Sequence, residues 1–232
     1  LIESGGVRLG ESRATFQAMA SSVAKIESIA DIARAEADTL GTALRMVVLT
    51  DHVRADELAR AQGADYMPSR LGVVPIFETL RRADLAKQRL AVLTRTLIIL
   101  PAELRAFARE TALNLAIDPE GLQFEPVPNC PGYVRLRAEG DVARHQVELV
   151  TRLFCDGHIT MLVGTQALLG EGWDAPALNT LVLASNSAAF MLSNQMRGRA
   201  IRVDPDNPSK VANIWHLATV TDLNTGPTKA FS

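Results

Sequence analysis

The chain has 232 residues, 47% of them hydrophobic and 22% charged, so it is long enough to bury the core of one large domain or of one domain with an appendage. Its net charge of −2 and pI near 6.1 argue against a strongly basic surface for non-specific nucleic-acid binding, but not against a protein that contacts only a few phosphates. Cys130 and Cys155 are too few for a disulfide framework or a Cys-x-x-Cys zinc site, and the four histidines have no metal-ligand spacing. The chain has no run of 18 apolar residues, so we expect no membrane partner. With only two cysteines, the default expectation is a reduced, cytoplasmic setting.

The N-terminal part predicts one long helix and then a strand. Ser12–Ala37 has apolar residues at steps of three and four, which is typical of an amphipathic helix, and Gly41 is expected to end it. Met46–Thr50 predicts a buried strand, and residues 51–62 predict a further helix. That helix holds the only Asp-Glu dipeptide, at 56–57, which we interpret as a solvated helix face and not as magnesium-binding carboxylates.

The rest of the chain alternates predicted helices and strands. A helix is predicted over Val74–Ala83, a β-rich run over Leu90–Leu100, and a helix that Pro101 opens and that reaches about Leu113. Further on, the pattern predicts a short strand at Tyr133–Arg137, a helix over Val142–Phe154, and strands at His158–Val163 and Leu178–Ala184. About 110 residues separate the first strand from the strand that begins at His158, which indicates an insertion within residues 64–140.

Two segments near the C-terminus carry the chemistry. The Gly-rich stretch Gly164–Ala177 lies between two predicted strands, and loops beyond the carboxyl ends of parallel strands are where α/β sheets bind ligands. In the helix predicted further along, Gln195, Arg199 and Arg202 fall within a sector of roughly 60°, while Arg197 points to the opposite side. A guanidinium stays charged and donates two parallel hydrogen bonds, so this helix face suits a phosphate.

The two segments, GTQALLGEGWDAP from Gly164 and QMRGRAIR from Gln195, resemble motifs V and VI of the superfamily 2 helicases and translocases. The similarity covers about 60 residues, from Gly157 to His216, in the second RecA-like domain of that family. Residues 44–54 are similar to motif IV. The resemblance implies an α/β fold with a mainly parallel RecA-like sheet and helices on both faces, over residues 41–232, after a helical lead-in over residues 1–40.

The resemblance also implies a role for each matching residue. Arg199 and Arg202 match the arginines that reach the γ-phosphate, at least one as an arginine finger, and Gln195 matches the position that helps to place nucleotide or water. Gly172 matches a backbone contact to phosphate, and Asp174 a carboxylate contact to ribose. Trp173 stands where the family often has a small or aliphatic residue, and either stacks on adenine or packs in the protein. The residues expected to contact nucleic-acid phosphates are Thr165, Thr50 and Arg54.

Several parts of a complete motor are not found in this chain. It has no Gly-Lys pair and therefore no phosphate-binding loop that ends in Gly-Lys-Ser/Thr. We therefore expect ATP with Mg²⁺ to be bound mainly by an N-terminal RecA-like lobe of the same parent chain, and this chain alone to be inactive. DNA is preferred over RNA as the partner because the motifs look closer to the restriction-type and repair-type branches. The alternatives are a nucleotide-sugar transferase lobe and a non-catalytic domain that binds nucleic acid or scaffolds a complex.

Overall fold

The computed structural model describes residues 23–60, 66–83, 85, 87–138, 140, 142–167, 173–184, 197–205 and 207–218. These residues form an eight-stranded mixed sheet with helices on both of its faces. The strands are β1 Met46–Thr50, β2 Leu90–Leu93, β3 Ile98–Pro101, β4 Leu122–Pro126, β5 Tyr133–Ala138, β6 Met161–Thr165, β7 Thr180–Leu183 and β8 Asn213–His216. The helices are α1 Ala24–Leu40, α2 Glu57–Arg60, α3 Val73–Arg82, α4 Arg105–Asn114 and α5 Val142–Cys155, and residues 197–200 are also helical.

Five adjacent parallel strands, β2, β6, β1, β7 and β8, form the main part of the sheet. An antiparallel extension, with β3 next to β2 and then β5 and β4, completes it at one edge. All five residues of β1 and of β6 are buried, as expected for central parallel strands that are covered on both sides. The predicted α/β fold with a mainly parallel sheet is therefore confirmed.

The two faces of the sheet hold separate apolar cores. On one face, α1 and α3 pack on alternate strand residues such as Val48 and Val163. On the other face, α4 and α5 pack on the intervening residues such as Leu49 and Leu162. The period of two along each strand sends successive side chains to opposite cores. The helices on both faces were predicted, and the structure confirms them.

The predicted N-terminal helix is described from Ala24 to Leu40, and the remainder of the predicted range lies outside the described residues. It ends as expected at Gly41, whose φ of 54° lies in the left-handed region that favours glycine. The division of the chain near residue 40 and the bounds of the insertion at 64–140 stay predictions.

The β-rich run at Leu90–Leu100 is two strands and not one. The hydroxyl of Thr94 accepts hydrogen bonds from the backbone N–H of Thr96 (3.3 Å) and of Leu97 (2.9 Å), so the chain reverses there and β3 pairs antiparallel with β2. Pro101 ends β3 and does not open a helix; a 3₁₀ turn precedes α4. Strand β4 was missed, because its stretch is rich in proline and glycine and forms a strand only by pairing with β5.

The prediction of a helix over residues 51–62 is wrong over its first half, since the helix there, α2, begins only at Glu57. Glu57 is also not on a solvated face: it is 3% exposed. Its carboxylate accepts hydrogen bonds from the Tyr66 hydroxyl (3.1 Å) and the Ser69 hydroxyl (2.5 Å). The loop at 66–69 covers this carboxylate, and sequence periodicity could not show that. Within the described ranges, no helix combines the length and apolar content that a membrane crossing requires.

Candidate functional site

Two of the predicted nucleic-acid contacts lie side by side. Thr50 ends β1 and Thr165 ends β6, and the parallel register pairs the two residues directly. Thr50 lies two residues after Val48, and Thr165 two residues after Val163, so both side chains are on the sheet face that α1 and α3 cover. Both are buried: Thr50 is 1% exposed and Thr165 is 8% exposed, so Thr165 offers slightly more surface to a ligand. The pairing of the two strands brings together residues that are 115 positions apart in the printed sequence.

Arg54 lies just beyond the end of β1 in a constrained backbone segment. Its φ of 56° is left-handed, a conformation that costs a non-glycine residue about 1–2 kcal/mol. The first turn of α3 holds this segment, since the backbone N–H of Val73 donates to the carbonyl of His52 at 2.8 Å. The Arg54 side chain lies against Gly72, where a Cβ would come within 2.4 Å of the Arg54 Cγ. Gly72 therefore permits the close approach of the Arg54 side chain, which a larger residue would displace.

The segment at residues 173–177, which lies within the stretch that resembles motif V, is anchored by its tryptophan. Trp173 is 4% exposed, its ring centroid lies 6.2 Å from that of Phe154, and its indole N–H donates to the Thr151 hydroxyl at 2.8 Å. Of the two roles considered for Trp173, packing is the one observed. The indole fixes residues 173 and 174 against α5.

Both motif VI arginines contact that anchored segment. Arg199 donates a hydrogen bond to the backbone carbonyl of Trp173. Arg202 Nη1 lies 2.7 Å from Asp174 Oδ1, and the two side chains are 56% and 55% exposed. Such a half-exposed ion pair contributes about 0–1 kcal/mol, so Arg202 can exchange partners at little cost. The two arginines thus converge on consecutive residues.

A lysine that sequence reasoning missed joins the same two segments. Lys210 Nζ donates to the carbonyls of Pro176, Leu178 (2.9 Å) and Ala200 (3.4 Å). Burial lowers the pKa of this amine, and the nearby Asp204 carboxylate opposes that shift. No motif marks Lys210 in the sequence, because it acts on backbone carbonyls that come together only in the folded chain.

Two of the predicted site residues, Gln195 and Gly172, lie outside the described residues. Gly198 is exposed, and a methyl group built on it meets no described atom within 4 Å. Arg197, one residue earlier, is half-buried and makes no ion pair with any residue in the described ranges. Among the described residues, the helical turn at 197–200 therefore has open space beside Gly198.

A cavity of about 630 Å³ lies between the segment at residues 173–177 and α5, and Asp204 also lines it. Trp173 and Asp174 line it, together with Arg144 and Arg152 of α5, whereas Arg199 and Arg202 do not. Its volume suits a small molecule. Because the two motif VI arginines do not line it, we do not assign it to the phosphate that they would bind.

Comparison with known proteins identifies no family for this chain. No protein-family model matches it, and no curated protein sequence matches it. Among solved structures, the crystal structure of the Pyrococcus furiosus Hef helicase domain is similar over 85% of this chain, with 14% sequence identity and a TM-score of 0.42. The chain spans 26% of that protein's length. A similarity at this level carries no argument about the fold or the function of this chain.

Proposed function

We propose that this chain is the second RecA-like lobe of an ATP-dependent DNA helicase or translocase. The observation that carries the proposal is the convergence of Arg199 and Arg202 on Trp173 and Asp174, because the two segments that resemble motifs V and VI are in contact through these residues. The central parallel strands and the two helical layers are compatible with such a lobe.

The residues fit a phosphate ligand. Two guanidinium groups lie near an exposed glycine, and that of Arg202 forms a weak, half-exposed ion pair with Asp174. In the proposed enzyme, Arg202 exchanges the Asp174 carboxylate for phosphate oxygens, and Asp174 then accepts a hydrogen bond from a ribose hydroxyl. Arg199 stays held by the Trp173 carbonyl and adds a second fixed positive charge beside the phosphate.

ATP with Mg²⁺, bound mainly by an N-terminal RecA-like lobe of the parent chain, supplies the phosphoryl group whose transfer to water drives movement. The part of this chain is electrostatic: fixed guanidinium groups stabilise charge that develops on the phosphoryl oxygens. In NTPases generally, an arginine finger contributes about 10³- to 10⁵-fold in rate.

The proposed nucleic-acid contact lies at the carboxyl ends of β1 and β6. Thr165, with Thr50 and Arg54 beside it, would hold a phosphate there through hydroxyl or backbone N–H groups. Such contacts do not read base sequence, as movement along any strand requires. Binding by this lobe alone is expected to be weak, salt-dependent and insensitive to sequence.

The test compares three arginine variants in the full-length parent. Arg199→Ala and Arg202→Ala are expected to lower kcat at saturating ATP and DNA by at least about a hundredfold, because each removes charge stabilisation of the transition state. Arg197→Ala is the matched control, since Arg197 lies on the same helical turn as Arg199 but roughly 160° around the helix, and the kcat of this variant should stay near the parent value. Equal, small effects of all three variants would support a non-catalytic scaffold instead.

A second measurement tests whether this chain is only one lobe of the proposed enzyme. The 232-residue chain alone should release no phosphate from ATP in the presence of single-stranded DNA, because it has no Gly-Lys pair. DNA-stimulated turnover by this chain would contradict the assignment to a second lobe. Stimulation of the full-length parent by RNA but not by DNA would correct the choice of partner and keep the rest of the proposal.

A further inference from the structure

A small cavity of about 200 Å³ opens where the β2–β3 turn meets β5, away from the residues discussed so far. Three of its lining residues are arginines: Arg95 on the turn, and Arg135 and Arg137 on β5. The cavity is also lined by Thr96 and by Gln146 of α5, and none of the described residues that line it is acidic. A set of three guanidinium groups without a lining carboxylate favours an anionic ligand.

The structure already orients these arginines. Arg135 Nη2 donates to the Thr96 carbonyl at 3.1 Å, which joins β5 to the β2–β3 turn. Arg137 Nε lies 2.6 Å from Glu125 Oε2, and these two side chains are 49% and 45% exposed, so the pair is weak. Each contact occupies one of the five N–H donors of a guanidinium. Arg95 is exposed at the tip of the turn.

The cavity lies on the same edge of the sheet as the proposed nucleic-acid contact. Leu93 pairs with Gly164 of β6 and with Ile98 of β3. The next position along, Thr94 with Leu97, therefore lies at the level of Thr165. The register of β3 with β5 continues this level across the extension. The residues that form this single row are Thr50, Thr165, Thr94, Leu97 and Arg137.

Arg137 also lies on the same face of the sheet as Thr165. On β5, Arg135 and Arg137 alternate with the buried Val134 and Leu136, which belong to the core under α4 and α5. The two arginines are therefore on the opposite face, where Thr165 also lies. Three strand spacings of about 4.8 Å separate β6 from β5, a span of roughly 14 Å.

We propose that Arg95, Arg135 and Arg137 form a second phosphate-binding site, which holds the sugar-phosphate backbone of a nucleic-acid strand that continues from Thr165 along the carboxyl edge of the sheet. This inference rests on the proposed function for the nature of the strand. The antiparallel extension thereby has a role of its own: it lengthens the path of the strand by roughly 14 Å.

The experiment measures binding of this chain to a labelled oligothymidylate by fluorescence anisotropy over a salt series. The test variant is Arg95→Gln with Arg137→Gln. The matched control is Arg34→Gln with Arg105→Gln, which removes the same charge. Arg105 is exposed on α4, as Arg95 is on its turn. Arg34 is half-exposed and pairs with Asp31 at 2.6 Å, as Arg137 pairs with Glu125. The test variant should bind roughly tenfold more weakly at low salt than the control. Its slope of log affinity against log salt should be smaller by about 1.4, which is about 0.7 for each of two phosphates.

The outcomes separate this inference from the proposed function. If wild-type binds the oligonucleotide with a salt dependence and the two double variants bind equally, the second site is wrong and the proposed function stands. If the wild-type chain does not bind the oligonucleotide, both are wrong. If the test variant loses only its thermal stabilisation by inorganic phosphate at constant ionic strength, the site takes a free anion and the strand proposal is overturned. The single variant Arg95→Glu, at the tip of an exposed turn, must also weaken binding without a change in the melting temperature.

Discussion

A buried carboxylate on α1 ties together β7 and β8, the two strands that flank the segment with Arg199 and Arg202. Glu36 is 4% exposed and accepts hydrogen bonds from Thr180 Oγ1 (3.2 Å), Asn213 Nδ2 (3.0 and 2.9 Å) and Trp215 Nε1 (2.7 Å). Thr180 begins β7, whereas Asn213 and Trp215 lie on β8. Thr180 and Asn213 pair at the amino ends of β7 and β8, so Glu36 joins the two strands there and sets where the connection at residues 184–212 ends.

Glu36→Ala should lower the free energy of unfolding by about 3 kcal/mol. A hydrogen bond to a charged group contributes about 1.5–3 kcal/mol, and three donor groups lose their acceptor together. Water can replace part of the loss, because Trp215 is 41% exposed and Asn213 is also exposed, whereas Thr180 is fully buried and keeps an unsatisfied hydroxyl. Glu36→Gln keeps one carbonyl acceptor but turns an amide donor toward other donors, so about half of the effect is expected.

Urea unfolding followed by circular dichroism measures this effect, with thermal melting as a second readout; 3 kcal/mol corresponds to roughly 6–12 °C in a chain of this size. Asp38→Ala is the control, since Asp38 is an exposed acid on the same helix and its loss should change stability by less than about 0.5 kcal/mol. Amide hydrogen exchange of residues 213–216 should accelerate in Glu36→Ala. If Glu36→Ala is no less stable than the Asp38→Ala control, the proposed role of Glu36 in joining β7 and β8 is refuted.

Three smaller predictions concern single contacts. Burial, with a hydrogen bond to Glu78, raises the pKa of the Cys130 thiol from about 9 to about 12, so the free energy of unfolding should fall as pH rises between these values. Urea titrations at about pH 8 and pH 10.5 should show a smaller fall for Cys130→Ser than for wild type. An identical fall in both proteins would refute the role of this thiol. Gly72→Ala should lower stability by about 1–3 kcal/mol in thermal melts, because its methyl group displaces Arg54; an unchanged melting temperature would remove the close-approach argument. Trp173→Phe should cost about 1–2 kcal/mol of stability through loss of the indole donor, and a melt equal to wild type would show that this hydrogen bond contributes nothing.

Much of the fold follows from local patterns in the sequence. The bounds of β1 could be predicted because a run of apolar residues ends at the polar Asp51, and both faces of that strand are buried. Helix α5 was predicted to within one residue, because its apolar residues repeat with the helical period. The alternation of such strands and helices was enough for the α/β class, and the spacing of the Gly-rich segment and the arginines pointed to the two segments of the candidate site.

Contacts between distant segments were decided by the tertiary structure alone. Periodicity reports which face of an element is apolar, but not which polar group another segment covers, so Glu57 was predicted to be exposed and is buried under the loop that carries Tyr66 and Ser69. For the same reason, the sequence left both roles of Trp173 open, and did not mark Lys210, whose partners are backbone carbonyls. The motifs identify Arg202 and Asp174 separately, and only the packing of residues 173–177 against α5 brings Asp174 within 2.7 Å of the guanidinium.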